Sequence, residues 1–314
     1  MEQPLSSPSP STSSDAGPTP FRIGIDVGGT KIESILLAPS GQEVHRCRLP
    51  SPAVAGYEAV LSAICEHADV ALGKVPAGAD CTVGIGIPGS LNQQSGLVQN
   101  ANSTCLIGHP LQRDLESRLG RCIGMDNDAN CFTLAEALAG AGQGFGLVFG
   151  VIMGTGCGGG ICIDGSIRQG PNRIAGEWGH VAVDPGGASC YCGKRGCVET
   201  KISGSGVERS FAAEYGKRRS MAEIVTGYRC GDARCTAAFR QFLVDFGRCL
   251  GGLISVLDPD VVVLGGGLSH IDELYTEGIE QVRRHAFHSQ IRTPVIRNSL
   301  GDSAGVIGAA WIGR

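Results

Sequence analysis

The alternation of apolar and polar residues divides the chain into a repeated plan. Residues 21–38, FRIGIDVGGTKIESILLA, form an apolar run split at its centre by a glycine turn. Residues 147–163, LVFGVIMGTGCGGGICI, repeat that design in the other half of the chain. Each reads as strand, turn, strand, with a threonine in the turn (Thr30 or Thr155). One unit used twice predicts two α/β lobes facing each other across a cleft. Between the hairpins, TVGIGIPG (82–89) reads as a buried strand ending in a Pro-Gly turn. CIGMDNDANCFTLAEALAG (122–140) reads as a short strand, a polar corner and a helix. From 239 to 257, Phe239, Phe242, Leu243, Phe246, Leu250, Leu253, Ile254 and Leu257 recur at helical spacing. Asp258-Pro259 stops that helix. PDVVVLGGGLSHIDELY (259–275) is strand, glycine turn, helix, and the apolar tail SAGVIGAAWIG closes the chain as a helix. Strands alternating with helices make the class α/β.

Composition narrows the function. The 314 residues are 42% hydrophobic and 18% charged, which describes a soluble globular protein of two packed lobes. The net charge of −4 disfavours nucleic acid or an anionic membrane as main partner. No apolar run approaches the roughly 20 residues of a membrane helix. The opening MEQPLSSPSPSTSSDAGPTP lacks the basic start and apolar core of a signal peptide, and its composition predicts a disordered leader over 1–20. Fourteen cysteines without an export signal suit a reducing, cytoplasmic compartment. Cys65, Cys122, Cys131 and Cys249 stand singly among apolar neighbours and read as small buried hydrophobes. Cys230 and Cys235 form a weak pair with no histidine nearby.

Three glycine turns follow strands: DVGGTK (26–31), GTGCGGG (154–160) and GGG (265–267). Bare backbone N–H groups there can face phosphate oxygens, because no Cβ blocks the approach. Lys31 and the threonine hydroxyls add donors, and the Asp26 carboxylate could hold Mg²⁺. GIGIPG and GTGCGG both fit G-x-G-x-x-G, but neither clearly opens a helix or has an acid about twenty residues on, so a dinucleotide fold is disfavoured. A P-loop pattern is absent, and nucleotide binding must rest on the paired hairpins.

The corner Asp126-Asn127-Asp128 carries two readings. Asn127 or Asp128 is a helix N-cap, or Asp128 takes the proton of a hydroxyl that attacks phosphate. NANST (100–104) offers further amides and hydroxyls suited to a polyol. Downstream, GEWGH (176–180) precedes CYCGKRGC (190–197), giving H-x9-C-x-C-x4-C from His180, Cys190, Cys192 and Cys197. Three thiolates and an imidazole satisfy tetrahedral zinc, and four protein ligands make the site closed and structural. It would staple the loop of Glu177 to that of Glu199.

DVGGTK, NDAN, GTGxGGG, E-x-G-H followed by C-x-C-G-x-x-G-C-x-E-x-x-x-S, and a late strand ending in GGG together resemble the ROK sugar kinases, from about residue 21 to the end. The resemblance implies the duplicated actin/hexokinase-type fold (ribonuclease H-like), with residues 21–130 plus 299–314 as one lobe and 131–298 as the other. It implies transfer of the ATP γ-phosphate to a sugar hydroxyl. By motif, the catalytic aspartate falls on Asp128 and the sugar contacts on Asn102, Asn127, Asp128, Glu177, His180 and Glu199. The zinc ligands fall on His180, Cys190, Cys192 and Cys197. The ATP positions fall on Gly24, Asp26, Gly28, Gly29, Thr30 and Lys31, on Gly154, Thr155, Gly156, Gly158 and Gly159, and on Gly265, Gly266 and Gly267. ATP, Mg²⁺ and structural Zn²⁺ are the implied cofactors, and a homodimer is allowed. NANSTCLIGHPL, CYCG and LDPDVVVLGGGLS look most like bacterial fructokinases of the mannokinase type, with N-acetylglucosamine kinases the runner-up. Lys201 departs from the aromatic or apolar residue common at its position, which bears on packing beside the sugar. The sugar-responsive repressors of the family carry a helix-turn-helix before the first glycine loop. Only a short polar leader stands there in this chain, which favours the kinase reading.

Overall fold

The computed structural model describes residues 19–101, 103–288 and 290–314. Most of the leader (1–18) and the sugar-contact candidate Asn102 lie outside the described residues. The first half of the chain runs β1 (Phe21–Val27), β2 (Lys31–Leu37), β3 (Glu43–Pro50), α1 (Tyr57–Leu72), β4 (Cys81–Ile87), β5 (Ser90–Leu91), β6 (Val98–Gln99), α2 (Leu111–Leu119), β7 (Gly124–Asn127) and α3 (Asp128–Ala139). The second half runs β8 (Leu147–Met153), β9 (Cys157–Ile163), β10 (Ser166–Ile167), α4 (Val198–Ile202), α5 (Gly204–Tyr215), α6 (Met221–Arg229), α7 (Ala233–Leu257), β11 (Val261–Gly265), α8 (Glu277–His285), β12 (Val295–Arg297) and α9 (Ala304–Trp311).

Two five-stranded sheets result, ordered β3-β2-β1-β4-β7 and β10-β9-β8-β11-β12. In each, a three-stranded antiparallel meander is extended by two parallel strands. The two glycine hairpins thus open two sheets of one topology, as the repeated pattern predicts.

Glycines that look like loop markers in the sequence form a bed for a helix. Gly24, Gly84 and Gly124 are in register across β1, β4 and β7. A Cβ at any of them would overlap the backbone of the last segment, at Val306, Ala309 or Ile312. The bare strip lets α9 lie close on the first sheet, where Val306, Ala309 and Ala310 are fully buried. On the second sheet Gly150 and Gly160 are in register and give α3 the same access, with Thr133 filling the space. Helices α3 and α9 then meet each other, and Gly308 admits the Cys131 carbonyl. The two sheets are joined through this helix pair.

Helix α7 begins earlier than its apolar spacing indicates. Its N-cap is Asp232, whose side chain accepts from the Cys235 N–H, and its first turn is too polar to show the period. Asp258 ends it in the left-handed region at φ 46°. Cys235 is buried in that first turn with Arg219 donating to its Sγ, whereas Cys230 is exposed. Cys131 and Cys249 are buried and Cys65 half-buried, but Cys122 is exposed, at the turn before β7 where the chain returns from the surface. Among the described residues no helix is long and apolar enough to cross a membrane.

Candidate active site

The corner between β7 and α3 separates three similar side chains into three jobs. Asp126 is a brace: its Oδ1 accepts from Asn127 N and Asn130 Nδ2, both at 2.8 Å, and its Oδ2 from Gln169 Nε2 at 2.6 Å. Asn127 is the N-cap, its Oδ1 accepting from Ala129 N at 2.8 Å while its Nδ2 donates to Gly89 O at 3.0 Å. The cap is therefore filled without Asp128, which is the first helical residue. Its carboxylate lines the cleft with Oδ1 on Ala129 N. Asp128 titrates at about 7, raised first by burial, then by the Asp26 carboxylate, with a smaller push from Glu177. Asp26, at the end of β1, is itself lifted to about 6 by burial and then by Glu33, despite Lys31 and Arg48. It faces the start of α9, where a Cβ on Gly305 would stand 3.1 Å from its Oδ2.

Across a cleft of about 160 Å³ stand Glu177, His180, Tyr191 and Glu199. Glu177 precedes the short 3₁₀ turn Trp178–His180, and burial raises its pKa while His180 lowers it. Glu199, in the first turn of α4, is buried and accepts from Cys157 N at 3.0 Å through Oε2. The Asn127 side chain, the Pro88-Gly89 turn and Asn100 complete the cleft. Gly89 sits tightly against the 99–101 backbone, which carries the NANST stretch to the site. The Ser103 hydroxyl is buried and has no partner among the described residues, 3.6 Å from where a Cβ on Gly29 would be. Lys201 does not reach the sugar side. Its Nζ pairs with Asp184 at 2.6 Å, and it lines a separate hollow of about 370 Å³ with Phe211 and Phe242 of α5 and α7.

The metal candidates converge. The ligand atoms of His180, Cys190, Cys192 and Cys197 all lie within 4.8 Å of one another. His180 Nδ1 to Cys190 Sγ and Cys192 Sγ to Cys197 Sγ are each 3.6 Å. A tetrahedron with Zn–S bonds of about 2.3 Å needs edges of roughly 3.5–3.8 Å, so this donor set fits zinc. The fold of the loop is set by backbone: Cys190 N donates to Lys194 O, Gly193 and Gly196 have φ of +88° and +59°, and a Cβ on Gly196 would overlap Asp184 O. His180 Nε2 is turned the other way, 2.9 Å from Tyr191 Oη.

The glycine candidates divide. Gly28 closes the first turn through its N–H on Lys31 O, Gly29 would bring a Cβ into ordinary contact with Ser103 Oγ, and Thr30 is exposed. Gly154, Thr155 and Gly156 form the second turn, held by Gly204 N on Gly154 O and by Ser205 Oγ on Thr155 O. Gly266, at φ 75°, packs against Met153 O, bringing the third turn beside the second, and Gly267 faces open space. Gly24, Gly158, Gly159 and Gly265 lie inside strands, where a Cβ would meet α9, Ala129, Gly176 O and the Phe132 ring respectively, and Gly158 and Gly159 also line the cleft. Asn100, the first residue of NANST, lines the cleft, and so does Tyr191, whose only signal in the sequence was its place between two thiols.

Two like-built sheets, a carboxylate on the floor between them and glycine turns at one end define a two-lobed sugar kinase of the hexokinase type. The sequence profile of the ROK family matches residues 22–314, and the chain belongs to that family, as a sugar kinase. It is 37% identical over 299 residues to an N-acetyl-D-glucosamine kinase of Yersinia pseudotuberculosis, covering 92% of this chain and 97% of that one. Among solved structures, a ROK hexokinase from Thermus thermophilus superposes with a TM-score of 0.83 at 32% identity, covering 93% of this chain and 97% of that one. A ROK glucokinase from Streptomyces griseus, in complex with glucose and AMPPNP, gives 0.75 at 30% identity, covering 94% and 99%.

Proposed function

We propose that this kinase transfers the γ-phosphate of ATP to the primary hydroxyl of a hexose, with N-acetylglucosamine as preferred acceptor. The observation that carries the reaction is Asp128: a carboxylate on the cleft floor that shares the Ala129 N–H with the Asn127 cap and has its pKa pushed up to about 7. It accepts the proton of the attacking hydroxyl as that oxygen approaches phosphorus. Asn127, Glu177, His180 and Glu199 offer directional partners for the remaining hydroxyls. Such a pocket discriminates against an analogue that leaves one of its polar groups unpaired. Backbone N–H groups of Gly29, Thr30, Thr155 and Gly156 would face the phosphates, those of Gly28 and Gly154 being spent within the turns, and the 265–267 turn would bound the nucleoside. Asp26 suits Mg²⁺, because a buried carboxylate pushed up to about 6 is short of positive charge. That ion, when bound, would supply positive charge against the phosphate oxygens. The thiol loop suits zinc as a structural staple fixing His180, Glu177 and Glu199 relative to one another.

The preference for N-acetylglucosamine rests on the Yersinia relative named above. Fructose is the second reading. It draws on NANSTCLIGHPL and CYCG, and on Tyr191 standing at the His180 edge, where it narrows the cleft. Coupled-assay kinetics with Mg·ATP on N-acetylglucosamine, fructose, mannose, glucose and N-acetylmannosamine test both. The highest kcat/KM is expected for N-acetylglucosamine. A clear preference for fructose moves the assignment to the second reading, and no turnover on any sugar removes the mechanism.

A further inference from the structure

Tyr191 lies between two zinc-loop cysteines, yet its side chain belongs to the cleft. Its phenol Oη is 2.9 Å from His180 Nε2, and the two rings meet edge to face at 5.0 Å between centroids. The His180 ring is fixed from behind, because its Nδ1 faces the Cys190 thiol. Its Nε2 is thus the one imidazole edge aimed at the cleft. Tyr191 itself is 61% exposed and is held by no other side-chain hydrogen bond among the described residues. One fixed polar edge is met by one loosely held hydroxyl.

We infer that Tyr191 is a gate on the sugar subsite: its phenol occupies His180 Nε2 in the empty cleft, and an incoming sugar hydroxyl must displace it. The inference rests on the assignment of His180 to the sugar and adds the residue that competes for it. Rotation about the Tyr191 side chain moves the ring towards solvent without disturbing Cys190 or Cys192, since χ1 turns only the side chain. A phenol is neutral around pH 7, so it presents a hydroxyl like that of a sugar. The cleft exchanges one hydroxyl partner for another, and the lost phenol bond is subtracted from sugar affinity.

The test is Tyr191→Phe, which keeps the ring and removes the competing hydroxyl. Equilibrium binding of N-acetylglucosamine and of fructose is measured without nucleotide on the metal-replete full chain, with zinc content and melting temperature as controls for folding. Tighter binding by roughly threefold to tenfold is expected for whichever sugar binds, together with a lower KM. A merely structural Tyr191 would move the melting temperature and leave the affinity alone. Unchanged or weaker binding by Tyr191→Phe, with wild type binding normally, overturns the gate alone, the weaker result meaning that the phenol contacts the sugar. Wild-type protein that binds neither sugar overturns the sugar-site reading and the gate with it.

Discussion

The two glycine hairpins have one backbone and two chemistries. Aligned on the glycines that seat a helix, Gly24 under α9 and Gly150 under α3, Asp26 of the first corresponds to Ile152 of the second, and Lys31 to Cys157. The first hairpin carries its own charges. The second carries none, and its acid arrives from elsewhere as Glu199, which accepts from Cys157 N. Duplication thus preserved what packing requires, a bare strip and a tight turn. Under the proposed function the charges would differ because the reacting end of a phosphate must meet a cation and a base, whereas the other side needs only backbone N–H groups. Asp26 raises the proton affinity of Asp128 across the charged side.

The largest expected effect is on that charged side. Asp128→Asn should lower kcat at least ~100-fold, because the base is lost while Asn127 keeps the cap. The folded pKa of Asp128 lies above its unfolded value, so its contribution to stability is fully present below about pH 4 and is lost as pH rises through about 7. Asp128→Asn removes that loss, and its melting temperature at pH 8 should be no lower than wild type. Near-normal kcat would reduce Asp128 to a helix-start residue.

On the neutral side, purified protein should contain about one zinc per chain, and strong chelation should lower the melting temperature by at least about 5 °C. A folded, active, metal-free protein would break the staple. Gly156→Ala comes next: its Cβ would lie 2.7 Å from Glu199 Oε2, displacing that carboxylate and raising the sugar KM roughly tenfold. Within the first turn, Gly29→Ala meets nothing nearer among the described residues than Ser103 Oγ at 3.6 Å and should shift the melting temperature by no more than about 1 °C. Equal effects from the two substitutions would remove the asymmetry.

The finest test is the pH profile. Wild-type activity should fall on the acid side with a limb near pH 7, since only the carboxylate form of Asp128 accepts a proton. Asp26→Asn withdraws a neighbouring negative charge, so the limb of its residual activity should move down by about half to one pH unit. An unmoved limb would mean that the two carboxylates do not sense each other.

The thiol cluster was legible because metal ligation needs a few side chains at short spacing, and H-x9-C-x-C-x4-C records them directly. The DND corner was half legible. Three polar residues in a row announce a strand-to-helix junction, but which one caps depends on where the helix begins, and that is fixed by Ala129 N on Asn127 Oδ1. Glycines were the poorest guide. Gly24 and Gly28 look alike in sequence, yet one faces α9 and the other closes a turn.

By itself, the sequence determined the two hairpins, the α/β alternation, the long apolar α7 and the donor set for a metal, because each depends on neighbours within a few residues. Only the tertiary structure decided that Asn127 is the cap while the buried Asp128 lines the cleft, that Lys201 turns away from the cleft, and that Tyr191 stands on His180. Those outcomes depend on groups far apart in the chain, or on which way a side chain turns. Burial, helix docking and the sign of a nearby charge exist only once the lobes have closed on each other.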